Sequence, residues 1–299
     1  MSTTTPTTNR HAAPEPVVPT PARSSRLTFG GVLKSEFIKL FTLRSTFWCI
    51  VIIVVLSVGV GLLLATVQPP ARAGIPSAPN PSTLQQQATA VRDATVGTGI
   101  GQLVLSVLGV LVIAGEYSTG MIRSTFAAEP RRLPTLFAKA IVLGITTFVV
   151  GLITIFGTAA IIFPLLPALH VHPDWSDSKL LLALFGAAAY LAVISLIAFS
   201  IGAIIRNTAG GIATAIGLIL VVPTILELVA GTTGAVWAEN LASFAPTQAG
   251  AKVYAYVSST PATTDGVVSL DAHQGGLVLI AWFVVLFVVA AVLLKRRDA

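Results

Sequence analysis

Six stretches of this chain run for roughly twenty residues each with almost no charge, the length a helix needs to cross the hydrocarbon core of a bilayer. They lie at about Phe47–Val67, Gly97–Gly115, Ala138–Phe163, Leu180–Ile205, Ile212–Gly231 and Leu277–Leu294. In lipid, a segment must satisfy every backbone amide within itself, which leaves the α-helix; the weak alternating pattern of a membrane β-barrel is absent. The expected fold class is therefore an all-α integral membrane protein with six transmembrane helices in one domain.

Composition agrees with lipid as the solvent. Hydrophobic residues make up 54% of the 299 residues and charged residues 10%, against about 25% charged in an ordinary soluble domain. The net charge of +6 is spread over the ends of the apolar runs, with no basic stripe and no interleaved aromatics, so no nucleic-acid partner is expected. Cys49 stands alone inside an apolar run. It has no partner for an internal disulfide, belongs to no metal-ligand spacing, and reads as a small packing residue.

The basic residues orient the spans. Arg10, Arg23, Arg26, Lys34, Lys39, Arg44, Arg123, Arg131, Arg132, Lys139, Arg206, Lys295, Arg296 and Arg297 fall on one side, and Arg72, Arg92, Lys179 and Lys252 on the other. The positive-inside rule makes the richer side cytoplasmic. Both termini are then cytoplasmic, which requires an even number of spans and agrees with six. The expected location is the cell membrane.

Residues 1–26 are rich in Thr, Pro, Ala and Ser without apolar periodicity, and read as a disordered cytoplasmic tail rather than a signal peptide; residues 27–299 form the membrane domain. In the first part of that domain Phe29, Leu33, Phe37, Leu40 and Phe41 recur at helical spacing, with Lys34, Ser35, Lys39 and Thr42 on another face. This is an amphipathic helix suited to the headgroup region, or the start of the first span. Outside, Val67 to Gly97 reads as a long Pro- and Gln-rich loop, Pro164 to Lys179 as a short one, and Thr232 to Gly276 as a long, moderately apolar one, part of which could dip into the outer leaflet as short helices.

No phosphate loop, zinc-protease helix or nucleophile elbow occurs, and no paired carboxylates lie within the spans, so no catalytic residue, cofactor or metal is assigned to the chain. The richest stretch joins spans two and three: Gly115-Glu116-Tyr117-Ser118-Thr119-Gly120-Met121-Ile122-Arg123-Ser124-Thr125-Phe126, then Glu129-Pro130-Arg131-Arg132 and Phe137-Ala138-Lys139. Glu116 sits where the apolar run ends, Gly120 allows a bend, and Ser118 and Thr119 are suited to cap a new short helix. Met121, Ile122 and Phe126 would give that helix an apolar face beside Arg123. The residues alone fit either a docking helix held between two spans or an ordinary turn with positive-inside anchors.

This pattern resembles the loop between the second and third spans of ABC-2 type transporter permeases. Lys34-Ser35-Glu36-Phe37-Ile38-Lys39-Leu40 with Arg44-Ser45 and Trp48 resembles the amphipathic segment before the first span in the same family. The resemblance covers the six-span plan, while the tail and the long first external loop fall outside it. It implies a membrane subunit of an ATP-driven exporter, with ATP and Mg held by a separate ABC ATPase subunit and with a second permease, identical or homologous, completing the path. It also implies that Glu116, Tyr117, Ser118, Thr119, Gly120, Met121, Ile122, Arg123 and Phe126 form the coupling helix that meets the ATPase. Lys34, Glu36, Phe37, Lys39 and Arg44 would belong to the elbow helix. The apolar spans favour lipophilic or amphipathic cargo.

Other residues carry two readings each. Glu227, the one acid well inside an apolar run, either reaches water at the outer interface or gates a path, since intramembrane charge is costly; Pro223 nearby could break its helix. His170, His172, Asp174 and Asp177 form either a solvated turn or a metal site. Gly97 with Gly101, and Ala209 with Ala213 and Gly217, are spaced for close helix packing, within the chain or between subunits. Arg206-Asn207 is a tight turn that anchors the spans or touches the ATPase. An ion-driven secondary transporter and a non-transporting scaffold or immunity protein are the alternatives to the exporter.

Overall fold

The structure, a computed structural model, describes residues 28–67, 82–120, 132–169, 171–256 and 266–296. Eleven α-helices are described: α1 Phe29–Thr42, α2 Arg44–Val67, α3 Thr83–Thr95, α4 Thr98–Ser118, α5 Arg132–Ile162, α6 Ser178–Ile205, α7 Thr208–Ile216, α8 Val222–Thr233, α9 Val236–Ser243, α10 Pro246–Val253 and α11 Ala272–Arg296. No strand occurs among the described residues. Six of the helical stretches are long and apolar enough to cross a membrane, which makes this a multi-pass membrane protein.

Helix α6 is the axis of the bundle and packs against α4, α5 and α11. Lipid tails are as apolar as leucine, so helices in a bilayer associate by close packing rather than by hydrophobic exclusion. Gly109 shows how close: a Cβ there would run into the Ser195 carbonyl oxygen of α6, and one on Gly202 would meet the α4 backbone at Val110. Leu105, Leu108, Leu143, Ile194 and Phe199 fill the resulting core. Hydroxyls in these helices turn back on their own backbone, as Thr147 does to the Leu143 carbonyl at 2.8 Å and Ser200 to that of Leu196 at 2.8 Å, which satisfies them inside the packed core where both are buried.

Three sequence expectations change. The first external loop is helical over Thr83–Thr95, because Ser82 and Gln85 form a reciprocal capping box and Gln87, Ala90, Val91 and Ala94 supply a buried face at helical spacing. The helix of the third span is described from Arg132, ahead of the apolar run expected from about Ala138. The fifth does not break at Pro223: a π-helical turn at Gly217–Val221 precedes it, and the wider turn accommodates the missing N–H and the bulk of the proline ring.

The Thr232–Gly276 connection contains α9 and α10, as short helices were expected there. A Cβ on Gly186 would meet the Val253 carbonyl, and one on Gly250 would meet the Tyr190 ring. Gly186 and Tyr190 lie roughly 12 and 18 Å along α6 from its Ser178 end at 1.5 Å per residue, so α10 packs beside the body of α6. Tyr190 donates to Gln102 of α4, and Trp282 of α11 donates to the Phe244 carbonyl at 2.9 Å.

Candidate functional site

Helix α1 docks through Val32, Glu36 and Leu40, one residue per turn, against α5. Phe29, Phe37 and Phe41 face outward instead, each about half exposed, with the Phe37 and Phe41 rings 4.6 Å apart. The packed face is thus the narrow one that carries a glutamate, and the phenylalanine stripe is left outside. Lys34 and Arg44 are exposed.

The buried glutamate explains this choice. Lys139 of α5, its side chain 2% exposed, reaches Glu36 Oε2 at 2.5 Å and Glu116 Oε1 of α4 at 2.6 Å. Lys39 adds contacts of 2.9 Å to Glu36 Oε1 and 3.5 Å to Glu116 Oε1. Two acids and two bases thereby cancel where three helices meet. Burying such charges is expensive, and the arrangement survives because each ion faces an opposite one at hydrogen-bond distance. Burial works against the charge on Lys39, but the hydrogen bond to Glu36 and the nearby Glu116 and Glu36 carboxylates outweigh it, so its pKa is raised above the ordinary lysine value.

The final turn of α4 makes two further connections, to Arg206 and to Thr208. The Arg206 guanidinium lies over the Tyr117 ring, 5.2 Å from its centroid, and donates to the Leu293 carbonyl of α11 at 3.3 Å. Arg206 is itself in the left-handed region, with φ 57°, and closes α6 as Asn207 accepts from the Gly210 amide at 2.8 Å to open α7. Thr208 donates to the Ser118 hydroxyl at 3.4 Å. Glu116, Tyr117 and Ser118 therefore tie one helix end to α1, α5, α7 and, through Arg206, α11.

Ser118 and Thr119 were expected to cap a new short helix, whose residues lie outside the described residues. Both hydroxyls donate to the Gly115 carbonyl, at 3.0 and 2.9 Å, and so finish α4. Gly120, with φ 72°, takes the bend expected of it. Met121, Ile122, Arg123 and Phe126 lie outside the described residues, as does the 1–26 tail.

Glu227 stands on α8, exposed in the chain, and accepts from Gln248 of α10. Glu239 and Ser243 share a cavity of about 400 Å³ with it. Asp174 accepts from the Ser176 amide at 2.8 Å. Asp177 caps α6 through the Lys179 amide at 2.9 Å and takes the Tyr256 hydroxyl at 2.5 Å. That hydroxyl and the backbone amides hold the Asp177 carboxyl below its usual range, and the carboxylate pushes the Tyr256 phenol up to about 12. These two aspartates are spent on turns and caps. Gly97 and Gly101 pack inside the chain, against Ser57 and Ile53 of α2, whereas Ala209 and Ala213 face outward.

Lys139 was legible only as a positive anchor. The signal for its role was the occurrence of one acid at the end of span two, one acid before span one and one base at the start of span three, all at the same membrane face. No protein-family model matches the chain, and no match is found among curated proteins. The class that the structure defines is a multi-pass helical membrane protein with a four-charge cluster, buried except for Lys39, at one end of its bundle.

Proposed function

We propose that the chain is the membrane-spanning permease subunit of an ABC-2 type exporter, powered by a separate ATPase subunit that holds ATP and Mg. The observation that carries this reading is the last turn of α4. It is tied to α1, α5, α7 and α11 by Lys139, Arg206 and Thr208, and it opens the Glu116–Phe126 stretch whose sequence resembles a coupling helix. A push applied to that segment reaches most of the bundle through ion pairs and packed side chains. Helix α1 serves as the elbow helix, with its phenylalanine face in the headgroup region and its other face locked to α5. The cluster and both termini lie on the cytoplasmic side of the cell membrane. Two permeases, identical or homologous, line the path for a lipophilic or amphipathic cargo, and the Glu227–Gln248 bond between α8 and α10 acts as an outer gate.

Transport against a gradient needs an energy source, and the sequence contains no phosphate loop. A nucleotide-driven partner shifts the inward and outward states only through its different affinity for the two. The test is co-purification with a P-loop ATPase encoded beside this chain, followed by ATPase assays with a panel of amphiphiles. Arg123→Ala is expected to leave the complex intact and abolish cargo-stimulated hydrolysis. Transport by the purified chain with no ATPase present, driven by an ion gradient, would overturn the assignment.

A further inference from the structure

The charge cluster lines a cavity of about 330 Å³ framed by α1, α2 and α4, whose lining also includes Leu43, Leu108 and Leu111. That volume falls at the lower end of the range for small-ligand sites, and the mixture of apolar wall and a few polar groups is what such sites show.

Three features describe its occupant. Glu116 Oε2 and Thr46 Oγ1, both in residues that line the cavity, are buried with no hydrogen-bond partner among the described residues. A buried carboxylate oxygen left unpaired is costly, and it asks for a donor; the broad terminal torsion of a glutamate lets Oε2 turn toward one. The Lys39 ammonium has three donors, directs two at Glu36 and Glu116, and keeps its side chain 37% exposed, so it has room for an acceptor. The cluster as a whole carries no net charge, so a head of one sign gains no long-range attraction from it. A head with both signs, an N–H-bearing cation and an anion, matches the unfilled acceptor and the open donor together.

We propose that this cavity binds one phospholipid whose head is zwitterionic with a primary ammonium, of the phosphatidylethanolamine kind. The ammonium sits at Glu116 and the phosphate at Lys39, while an acyl chain lies along Leu43, Leu108 and Leu111. Two of the helices that line the cavity, α1 and α2, expose Phe37, Phe41, Phe47 and Trp48, and the Trp48 indole is of the kind found where tails meet heads. The proposal requires the bilayer placement of the spans and is independent of the ATPase partner.

The test is native mass spectrometry of the full chain in detergent, titrated separately with dioctanoyl phosphatidylethanolamine, phosphatidylcholine and phosphatidylglycerol, and with octylamine. The ethanolamine lipid is expected to bind at least about tenfold more tightly than the choline lipid, which has no N–H, the factor that one charge-assisted hydrogen bond supplies. The same margin is expected over the glycerol lipid, which carries net charge. Leu111→Trp fills the cavity and should erase the preference. Lys39→Met, at a half-exposed position, should weaken the ethanolamine lipid about tenfold and serves if the tryptophan variant does not fold. Equal retention of the three lipids, or a preference that persists in both variants, overturns the proposal. Displacement of the lipid by equimolar octylamine would reassign the cavity to free amphiphilic amines and overturn it as well.

Discussion

Lys139 of α5 and Glu116 of α4 are joined by a 2.6 Å ion pair at a position where the lysine side chain is 2% exposed. Because the same ammonium also holds Glu36 of α1 at 2.5 Å, its removal leaves two carboxylates sharing only the half-exposed Lys39 ammonium. Lys139→Met is expected to cost about 3–5 kcal/mol, the range for breaking a buried pair from one side. The triple variant Glu36→Gln, Lys139→Met, Glu116→Gln removes the three buried charges, leaves only the half-exposed Lys39 ammonium, and should be less destabilised than Lys139→Met alone. Thermal unfolding of both proteins in one detergent reads the difference; equal melting temperatures for the single and triple variants would show that the pair carries no such energy.

Gly109 and Gly59 make a matched comparison. Gly109→Ala places a methyl group against the Ser195 carbonyl and should destabilise by about 1–3 kcal/mol through overpacking. A Cβ on Gly59 of α2 meets nothing within 4 Å, so Gly59→Ala should instead stabilise by about 0.5–1 kcal/mol from helix propensity. Denaturation of the two variants in parallel is decisive by sign.

Arg206 combines a left-handed backbone, φ 57°, with a guanidinium over Tyr117. Ala and Gly at 206 lose the same side-chain contacts, but Ala retains the conformational penalty that Gly escapes. Arg206→Ala should therefore unfold at lower denaturant than Arg206→Gly, by about 1 kcal/mol. The reverse order would mean that the turn does not keep this conformation.

The Tyr256–Asp177 bond at 2.5 Å gives a pH signature outside the spans. The phenol is raised to about 12, so the stability linked to it is complete below the ordinary tyrosine value of about 10 and disappears as pH climbs through the raised value. The carboxyl is lowered, so its contribution is present above the ordinary aspartate value of about 4 and disappears as pH falls through the lowered one. Between those limits the bond should be insensitive to pH. Phenolate absorbance of the protein minus that of Tyr256→Phe isolates this group. Asp177→Asn should bring its titration down toward 10, and an unmoved titration would exclude the bond as its cause.

How much of this was legible depends on the kind of residue. The ends of α4 and α6 could be placed to within a few positions because Glu116 and Arg206 interrupt long apolar runs. The helix at Thr83–Thr95 was missed although Ser82 and Gln85 announce it, since the polar Gln85-Gln86-Gln87 run masks a buried face that matters only once α5 and α6 are beside it. The Ser118 hydroxyl, which donates to the Gly115 carbonyl, could not be placed from the sequence for a related reason: which backbone group a hydroxyl meets is decided by a local torsion, not by its identity.

The sequence by itself determined the number of spans and their helical nature, because a bilayer admits no other open-ended way to pair the backbone amides of twenty apolar residues. It also determined that Glu36, Glu116 and Lys139 would lie near one membrane face, since each borders a span. Only the tertiary structure decided that these three meet, and that α1 turns its glutamate rather than its phenylalanines toward the bundle. Such meetings depend on the rotation of each helix about its axis and on side-chain packing between segments 23 and 103 residues apart, terms that no single run of residues contains.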